Sequence, residues 1–202
     1  MQIKTVIFDL GGVLIHWDPM LVYRKIFPTE EEAQWFLENI CTYQWNLQHD
    51  AGQLLQKGMD DLAATYPEWK DEIYAYYGRW EEMLGGVFEG TVKILKACID
   101  NPNLQVVALT NWSAETFPIA KQRFDFLHWF EGIVVSGEEM MRKPNPKIYE
   151  IILERYQITP EHAVFIDDSL PNIEQANKMG IHGIHFQSSE QLKTALEKLG
   201  VF

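Results

Sequence analysis

The spacing of apolar residues changes along the chain, and the first segment has the pattern of a β-strand. An apolar, β-rich run covers residues 3–8 and ends at Asp9. Gly11 and Gly12 then interrupt the run, which is typical of a strand that leads into a tight loop. We therefore predict a first strand at residues 3–8, followed directly by a carboxylate.

The next stretch, residues 19–84, has few β-branched runs and carries its apolar and aromatic side chains at helical spacing. Thr29 followed by Glu32 has the pattern of a capping box, and Pro67 is typical of a helix start. The helices predicted here are 29–40 and 68–83. This stretch is expected to be a helical insert after the first strand.

From residue 86 onward the pattern alternates between strands and helices. The predicted helices are 89–99, 114–123, 146–156, 171–179 and one from about Ser189, and the predicted strands are 104–109, 132–135, 163–166 and 181–186. Repeated strand–helix units with apolar strands predict an α/β fold, a Rossmann-like parallel sheet with helices on both faces. We expect residues 1–16 and 86–202 to form this core and residues 17–85 to form a helical cap inserted into it.

Charge and composition restrict the partners of the 202-residue chain. Its formal net charge is −12, which disfavours nucleic acid and anionic membranes as partners. The same charge repels phosphorylated molecules, so a phosphate site needs local cations. Cys41 and Cys98 have no spacing that suggests zinc or a disulfide framework. Since no signal-peptide pattern or long apolar run occurs, we expect a cytoplasmic protein whose oligomeric state the sequence leaves open.

Polar side chains follow three of the predicted strands, and one lysine lies in the loop before the 146–156 helix. These residues are Asp9, Thr110, Asn111, Lys143, Asp167 and Asp168. The carboxyl ends of parallel strands converge on one crevice, where ligands bind. Three acids that share a crevice repel one another unless a cation lies among them, and oxygen ligands favour Mg²⁺ over Zn²⁺. The expected metal ion and Lys143 would together supply the positive charge of an anion site, which we therefore predict here.

Four segments in this order resemble the motifs of the haloacid-dehalogenase-like (HAD) hydrolase superfamily. They are Asp9-Leu10-Gly11-Gly12-Val13-Leu14, Leu109-Thr110-Asn111, Arg142-Lys143-Pro144-Asn145-Pro146 and Phe165-Ile166-Asp167-Asp168. The insert lies where subfamily I has its helical C1 cap, and the first motif resembles that of a sugar-phosphatase-like branch. The resemblance implies a Mg²⁺-dependent phosphatase that acts on a small phosphorylated metabolite, with sugar phosphates as one candidate.

The resemblance also implies a role for each matching residue. Asp9 is expected to be the nucleophile and to form an aspartyl-phosphate. Thr110 and the backbone of Asn111 are expected to hold the phosphoryl oxygens, and Lys143 is expected to neutralise their charge. The expected Mg²⁺ ligands are Asp9, the Gly11 carbonyl and Asp168. Asp167 is expected either to bind the ion directly or to contact its ligands.

One position departs from the family pattern. Most phosphatases of the superfamily carry a second Asp two residues after the nucleophile as general acid, and here that position is Gly11. Because general acid catalysis contributes about 10²–10⁴-fold, slow hydrolysis of alkyl phosphates is expected. The replacement donors considered from the sequence are His16, Asp18 and His49.

Two other functions stay open at this point. A 2-haloacid dehalogenase also lacks the second Asp, but it works on carbon without a metal and does not keep an acidic pair such as Asp167-Asp168. A HAD-fold binding protein without activity is the other alternative. The substrate is not readable, although four residues in a predicted cap loop suggest a polar ligand the size of a sugar: Trp45, His49, Asp50 and Gly52. Trp112 and Asn172 fit either the pocket or ordinary packing.

Overall fold

A computed structural model describes residues 2–202 and contains a five-stranded parallel sheet in the order β5-β4-β1-β6-β7. The strands of the molecule are β1 (Thr5–Phe8), β2 (Ile15–Trp17), β3 (Leu84–Val87), β4 (Gln105–Thr110), β5 (Gly132–Val135), β6 (Ala163–Asp167) and β7 (His182–His185). Thr5 of β1 lies beside Gln105 of β4 and beside Ala163 of β6. The central strand β1 is therefore flanked by the two strands whose ends carry the other predicted site residues.

Helices cover both faces of the sheet. The α-helices are α1 (Met20–Tyr23), α2 (Glu30–Asn39), α3 (Tyr43–Asp50), α4 (Leu55–Thr65), α5 (Lys70–Gly78), α6 (Glu89–Ile99), α7 (Phe117–Arg123), α8 (Pro146–Arg155), α9 (Leu170–Lys178) and α10 (Ser189–Lys198). Successive side chains of a strand point to opposite faces. Accordingly Val6 and Phe8 pack in one hydrophobic cluster with α6 and α10, whereas Ile7 packs in the other with α8 and α9. The predicted α/β fold is confirmed.

The five helices α1–α5 lie between β2 and β3, two short antiparallel strands that the sequence analysis missed. Ile15 pairs with Val87 and His16 with Gly86, so the chain leaves and re-enters the α/β part through adjacent strands. With three and four residues, two of them glycines, these strands are too short to show a period of two. Among residues 2–202 no helix has the length and apolar composition of a bilayer span.

The helix boundaries differ from the sequence prediction by more than one residue in two places. The capping box is confirmed, since the Glu32 backbone N–H donates to Thr29 Oγ1 over 3.2 Å. The single helix predicted at 68–83 is wrong: a 3-10 turn precedes α5, and a second 3-10 turn, Trp80–Met83, follows it. Glycine has low helix propensity, and α5 ends at Gly78. The helix predicted from residue 114 begins at Phe117, because Pro118 is tolerated only in a first turn.

Candidate active site

Lys143 is the centre of a buried ionic cluster at the carboxyl ends of β1, β4 and β6. Its Nζ donates hydrogen bonds to Leu109 O over 2.8 Å and to Asp167 Oδ2 over 2.7 Å, and lies 3.0 Å from Asp9 Oδ1. The side chain is fully buried. Burial alone would lower the pKa of Lys143, but the carboxylates of Asp167 and Asp9 outweigh it and raise the pKa. The lysine therefore stays charged at the strand ends.

Both carboxylate oxygens of Asp167 are held by protein donors. Oδ1 accepts from the Ser169 backbone N–H over 2.8 Å, and Oδ2 accepts from Lys143 Nζ. Asn172 Nδ2 lies 3.0 Å from each oxygen and donates to the carboxylate. With its donors supplied by the chain, Asp167 is suited to fixing Lys143 and its surroundings. Asn172, which the sequence left undecided, belongs to this network.

Asp9 and Asp168 complete an acidic cluster that would accept a cation. Carboxylate oxygens of Asp9, Asp167 and Asp168 all lie within 4.8 Å of one another, and Asp168 is the exposed member of the three. Burial raises the pKa of Asp9 well above its usual range, with Lys143 opposing the rise and Asp167 and Asp168 adding to it. Partial desolvation and Asp167 also raise the pKa of Asp168. Hard oxygen donors that disfavour one another's charge fit a Mg²⁺ ion.

The loop after β1 is shaped to bring its backbone close to Asp168. Gly12 has φ +73°, a left-handed conformation, and a Cβ at this position would overlap the Asp168 carboxylate. Gly11 is different, because a Cβ there would meet no atom within 4 Å. The close approach therefore depends on Gly12, while Gly11 faces open space beside Asp9.

Thr110 and Asn111, at the end of β4, lie next to Lys143. Thr110 is fully buried, and its Oγ1 has no hydrogen-bond partner within residues 2–202. A buried hydroxyl without a partner is costly unless a ligand satisfies it. The side chain of Asn111 instead holds the lysine loop: its Oδ1 accepts from the Lys143 backbone N–H over 2.8 Å and its Nδ2 donates to Lys143 O over 3.1 Å.

A pocket of about 380 Å³ opens over this cluster and is lined from both sides. Asp9, Gly11, Asn111 and Asp168 line its floor. The inserted helices contribute Tyr43, Asn46, Asp50, Tyr77 and Trp80, and further walls come from Trp17 and Trp112. The Trp112 indole N–H is buried and has no acceptor among the described residues. The sequence analysis had not singled out Tyr43, Asn46, Tyr77 or Trp80 as pocket residues.

The three candidate proton donors from the sequence do not line this pocket. His16 lies in β2 and packs edge-on against Phe88 with ring centroids 6.1 Å apart. Asp18 Oδ1 accepts from the Met20 backbone N–H at the start of α1. His49 is buried against Trp45 and Tyr77, at centroid distances of 4.6 and 5.0 Å. The predicted cap loop is wrong, because Trp45, His49 and Asp50 lie in α3. Of the four residues assigned to that loop, only Asp50 lines the pocket.

The sequence of the chain is similar to a known family and to two known phosphatases. A sequence model described as haloacid dehalogenase-like hydrolase matches residues 3–180. The chain is 24% identical to the sesquiterpene phosphatase astK of Aspergillus oryzae over 96% of this chain and 94% of that protein. It is 25% identical to a phosphorylated carbohydrates phosphatase of Thermotoga maritima over 90% of this chain and 84% of that protein.

A solved structure shares the fold. It is a HAD family enzyme of Bacteroides thetaiotaomicron crystallised with magnesium and inorganic phosphate. The TM-score is 0.68 at 24% identity, covering 92% of this chain and 95% of the other. At this identity the likeness establishes the fold.

Proposed function

This chain belongs to the haloacid dehalogenase-like hydrolases, and from that premise we propose that it is a Mg²⁺-dependent phosphatase. Its substrate would be a small phosphorylated metabolite, hydrolysed through an aspartyl-phosphate on Asp9. The observation that carries the proposal is the buried Lys143 held between Asp9 and Asp167, with Asp168 alongside. This arrangement puts a fixed positive charge next to a carboxylate at the floor of a pocket, as phosphoryl transfer requires.

Asp9 would carry out the bond-forming step of the proposed reaction. Asp9 Oδ1 accepts from the Leu10 backbone N–H over 2.8 Å and lies 3.0 Å from Lys143 Nζ, so we assign Oδ2 as the attacking oxygen. A bond forms from Oδ2 to phosphorus, and the ester oxygen leaves with its electron pair and takes up a proton. Water then attacks the phosphorus, which releases inorganic phosphate and restores the carboxylate of Asp9.

The remaining site residues would stabilise charge. Lys143 stays protonated throughout and balances the charge of the phosphoryl group and of Asp9. Thr110 Oγ1, which is buried without a protein partner, would donate to a phosphoryl oxygen. Mg²⁺ would be held by Asp9, Asp168 and the Gly11 carbonyl, with Asp167 supporting them, and would supply the positive charge that this acidic cluster lacks.

The pocket walls bear on the substrate class. Five aromatic side chains line the pocket together with Asn46 and Asp50: Trp17, Tyr43, Tyr77, Trp80 and Trp112. Aromatic faces with a few polar groups suit a sugar phosphate, because sugar rings present both apolar faces and hydroxyls. The same aromatics favour a prenyl phosphate as second candidate, and one relative is named a sesquiterpene phosphatase. A cytoplasmic location and the absence of nucleic-acid or membrane partners stay predictions from the sequence.

We also propose that residues 17–85 act as a cap over the α/β core. Support comes from the pocket, whose lining is shared between α3, α5 and the strand ends, and from β2 and β3, the paired strands that join the two parts. Closure of such a cap would exclude water from the phosphoryl group.

A phosphate-release screen tests the proposal. Sugar phosphates, prenyl phosphates and 4-nitrophenyl phosphate are incubated with the purified protein in Mg²⁺ and in EDTA. The proposal expects release of phosphate in Mg²⁺ only. If the protein instead releases halide from 2-chloropropionate at the same rate with and without EDTA, the result would support a dehalogenase. Absence of both activities, with retained binding of a phosphorylated compound, would support an inactive binding protein.

A further inference from the structure

Asp50 is a carboxyl group in the pocket that the proposed reaction leaves without a role. It is the last residue of α3 and lines the same pocket as Asp9. The position two residues after Asp9, where most phosphatases of the superfamily carry a general acid, is Gly11. A leaving alkoxide needs a proton, so the pocket requires another donor if it hydrolyses alkyl phosphates.

The surroundings hold the Asp50 carboxyl in one place. Tyr77 Oη donates to Asn46 Oδ1 over 3.0 Å, and Asn46 Nδ2 donates to Asp50 Oδ2 over 3.2 Å. The backbone N–H of Ser113, in the loop after β4, favours the charged form of the carboxyl and lowers its pKa. The Asp50 carbonyl accepts from Ser136 Oγ. Contacts from the inserted helices and from the loops after the strands therefore both hold Asp50 in position. A group that acts on a substrate needs such fixed geometry.

Burial suits the Asp50 carboxyl to carry its proton near neutral pH. Burial raises the pKa of Asp50 to about 7, although Arg142, Lys143 and the Ser113 N–H oppose the rise. The other titratable groups that sense its charge are the phenols of Tyr43, Tyr76 and Tyr77. Burial raises the pKa of each of these phenols, so they remain neutral neighbours. A general acid is most effective when its pKa is close to the working pH.

We propose that Asp50 is the general acid of this site and takes over the role of the carboxyl that Gly11 lacks. The inference rests on the proposed phosphatase function. As the bond between phosphorus and the leaving oxygen breaks, that oxygen takes the proton from Asp50. In the second step the Asp50 carboxylate accepts a proton from the attacking water, which returns both Asp50 and Asp9 to their starting states.

Two substrates of similar shape separate proton donation from binding. In benzyl phosphate the leaving group is an alkoxide that needs a proton, whereas 4-nitrophenolate leaves from 4-nitrophenyl phosphate without one. Asp50→Asn keeps the size of the side chain and a hydrogen-bond donor but has no acidic proton. Because Asp50 also serves the second step, which both substrates share, the rate of leaving-group release is measured in a single turnover. We expect Asp50→Asn to lower this rate for benzyl phosphate by about 10²–10⁴-fold and to leave it nearly unchanged for 4-nitrophenyl phosphate. Asp18→Asn, a carboxyl outside the pocket, is the matched control and should change neither.

The pH profile gives a second readout that needs no folded variant. The wild-type single-turnover rate of benzyl alcohol release should fall above a pH of about 7 as Asp50 loses its proton, and a flat profile from about pH 6 to 9 would overturn the proposal. Gly11→Asp, for which there is room, should restore benzyl phosphate turnover to Asp50→Asn. Equal losses of the single-turnover rate for both substrates, or a higher KM with unchanged kcat, would assign Asp50 to substrate binding.

The same experiment distinguishes this proposal from the function on which it rests. If the wild-type protein hydrolyses neither phosphate in Mg²⁺, the phosphatase function and the role of Asp50 both fail. If the wild type is active and Asp50→Asn keeps full benzyl phosphate turnover, only the role of Asp50 fails.

Discussion

Lys143 Nζ donates to Asp167 Oδ2 over 2.7 Å, and both side chains are completely buried. Charges without solvent are stable only when they are paired and fully hydrogen-bonded. Asp167 meets this condition through Lys143, Ser169 and Asn172. Asp167 fixes the Lys143 ammonium, and the same ammonium faces Asp9. The buried pair therefore contributes both to the packing of the strand ends and to the charge beside Asp9.

Lys143→Met should destabilise the fold as well as stop hydrolysis. Removing one partner of a buried pair typically costs about 3–5 kcal/mol, since the remaining carboxylates of Asp167 and Asp9 are left without their counter-charge. Lys57→Met removes a lysine from an exposed pair with Asp61 and should cost less than about 1 kcal/mol. Urea unfolding of the two variants measures the difference. Equal, small losses would show that the buried pair contributes no more than a surface one.

Asp168 and Asp167 should respond differently to removal of their charge. Asp168→Asn should raise the Mg²⁺ concentration needed for half-maximal activity by about 10-fold or more, with little effect on the melting temperature, because Asp168 is the exposed acid of the cluster. Asp167→Asn should lower the melting temperature more, because it removes one of the two buried carboxylates that pair with Lys143. Mg²⁺ titration of activity and thermal unfolding provide the two readouts. If Asp167→Asn raised the Mg²⁺ requirement more and Asp168→Asn lowered the melting temperature more, the roles that we assign to the two acids would have to be exchanged.

The strand-end residues could be predicted because a parallel sheet brings the ends of separate strands together whatever the intervening sequence. Asp9, Thr110, Asp167 and Asp168 are placed together in this way, and the loop before α8 brings Lys143 to the same strand ends. The walls of the pocket could not be predicted. They depend on how α3 and α5 pack over the loops after β4 and β5, and long-range packing leaves no periodic trace in the sequence.

His49 and Asp50 illustrate that limit. They are neighbours near the end of one helix, separated by about 100° around its axis. Both are polar, and the helix around them has no clear apolar face. The sequence therefore does not indicate which of the two side chains is buried. His49 is buried between aromatic rings, and Asp50 lines the pocket. The sequence offered His49 as one of three candidate proton donors and did not include Asp50, which is the one of these two residues that faces the pocket.

Gly11 and Gly12 should differ sharply in their tolerance of a side chain. Gly12→Ala would put a Cβ into the Asp168 carboxylate and keep a left-handed φ, at a cost of about 1–2 kcal/mol from the conformation alone. Gly11→Ala meets open space and should leave stability unchanged or raise it by up to about 1 kcal/mol. Thermal unfolding compares the two variants. A Gly11→Ala protein as unstable as Gly12→Ala would contradict the loop conformation.

Burial of His49 should make the fold sensitive to mild acid. Burial lowers the pKa of His49 to about 4, while the unfolded chain takes up this proton near pH 6.5. Because the unfolded state binds more protons in this window, the contribution of His49 to stability is present above pH 6.5 and is lost as the pH falls towards about 4. The loss amounts to at most about 3 kcal/mol.

Comparison with a variant isolates this contribution from the other titrating groups. The free energy of unfolding of the wild type relative to His49→Gln should fall between about pH 7 and pH 4. His128→Gln, at an exposed position, is the control. Urea unfolding at several pH values supplies the data. A constant difference between wild type and His49→Gln over this range would exclude a buried neutral imidazole.

The nucleophile is tested most directly by trapping the enzyme during turnover. The protein is mixed with its best phosphorylated substrate and Mg²⁺, quenched in acid, and examined by intact mass and peptide mapping. The proposed mechanism predicts an adduct with the mass of one phosphoryl group on the peptide that contains Asp9, absent in EDTA and absent in a folded Asp9→Asn variant that has lost turnover. Asp9→Asn that hydrolyses substrate at the wild-type rate, or a phosphoryl adduct on a different residue, would contradict it.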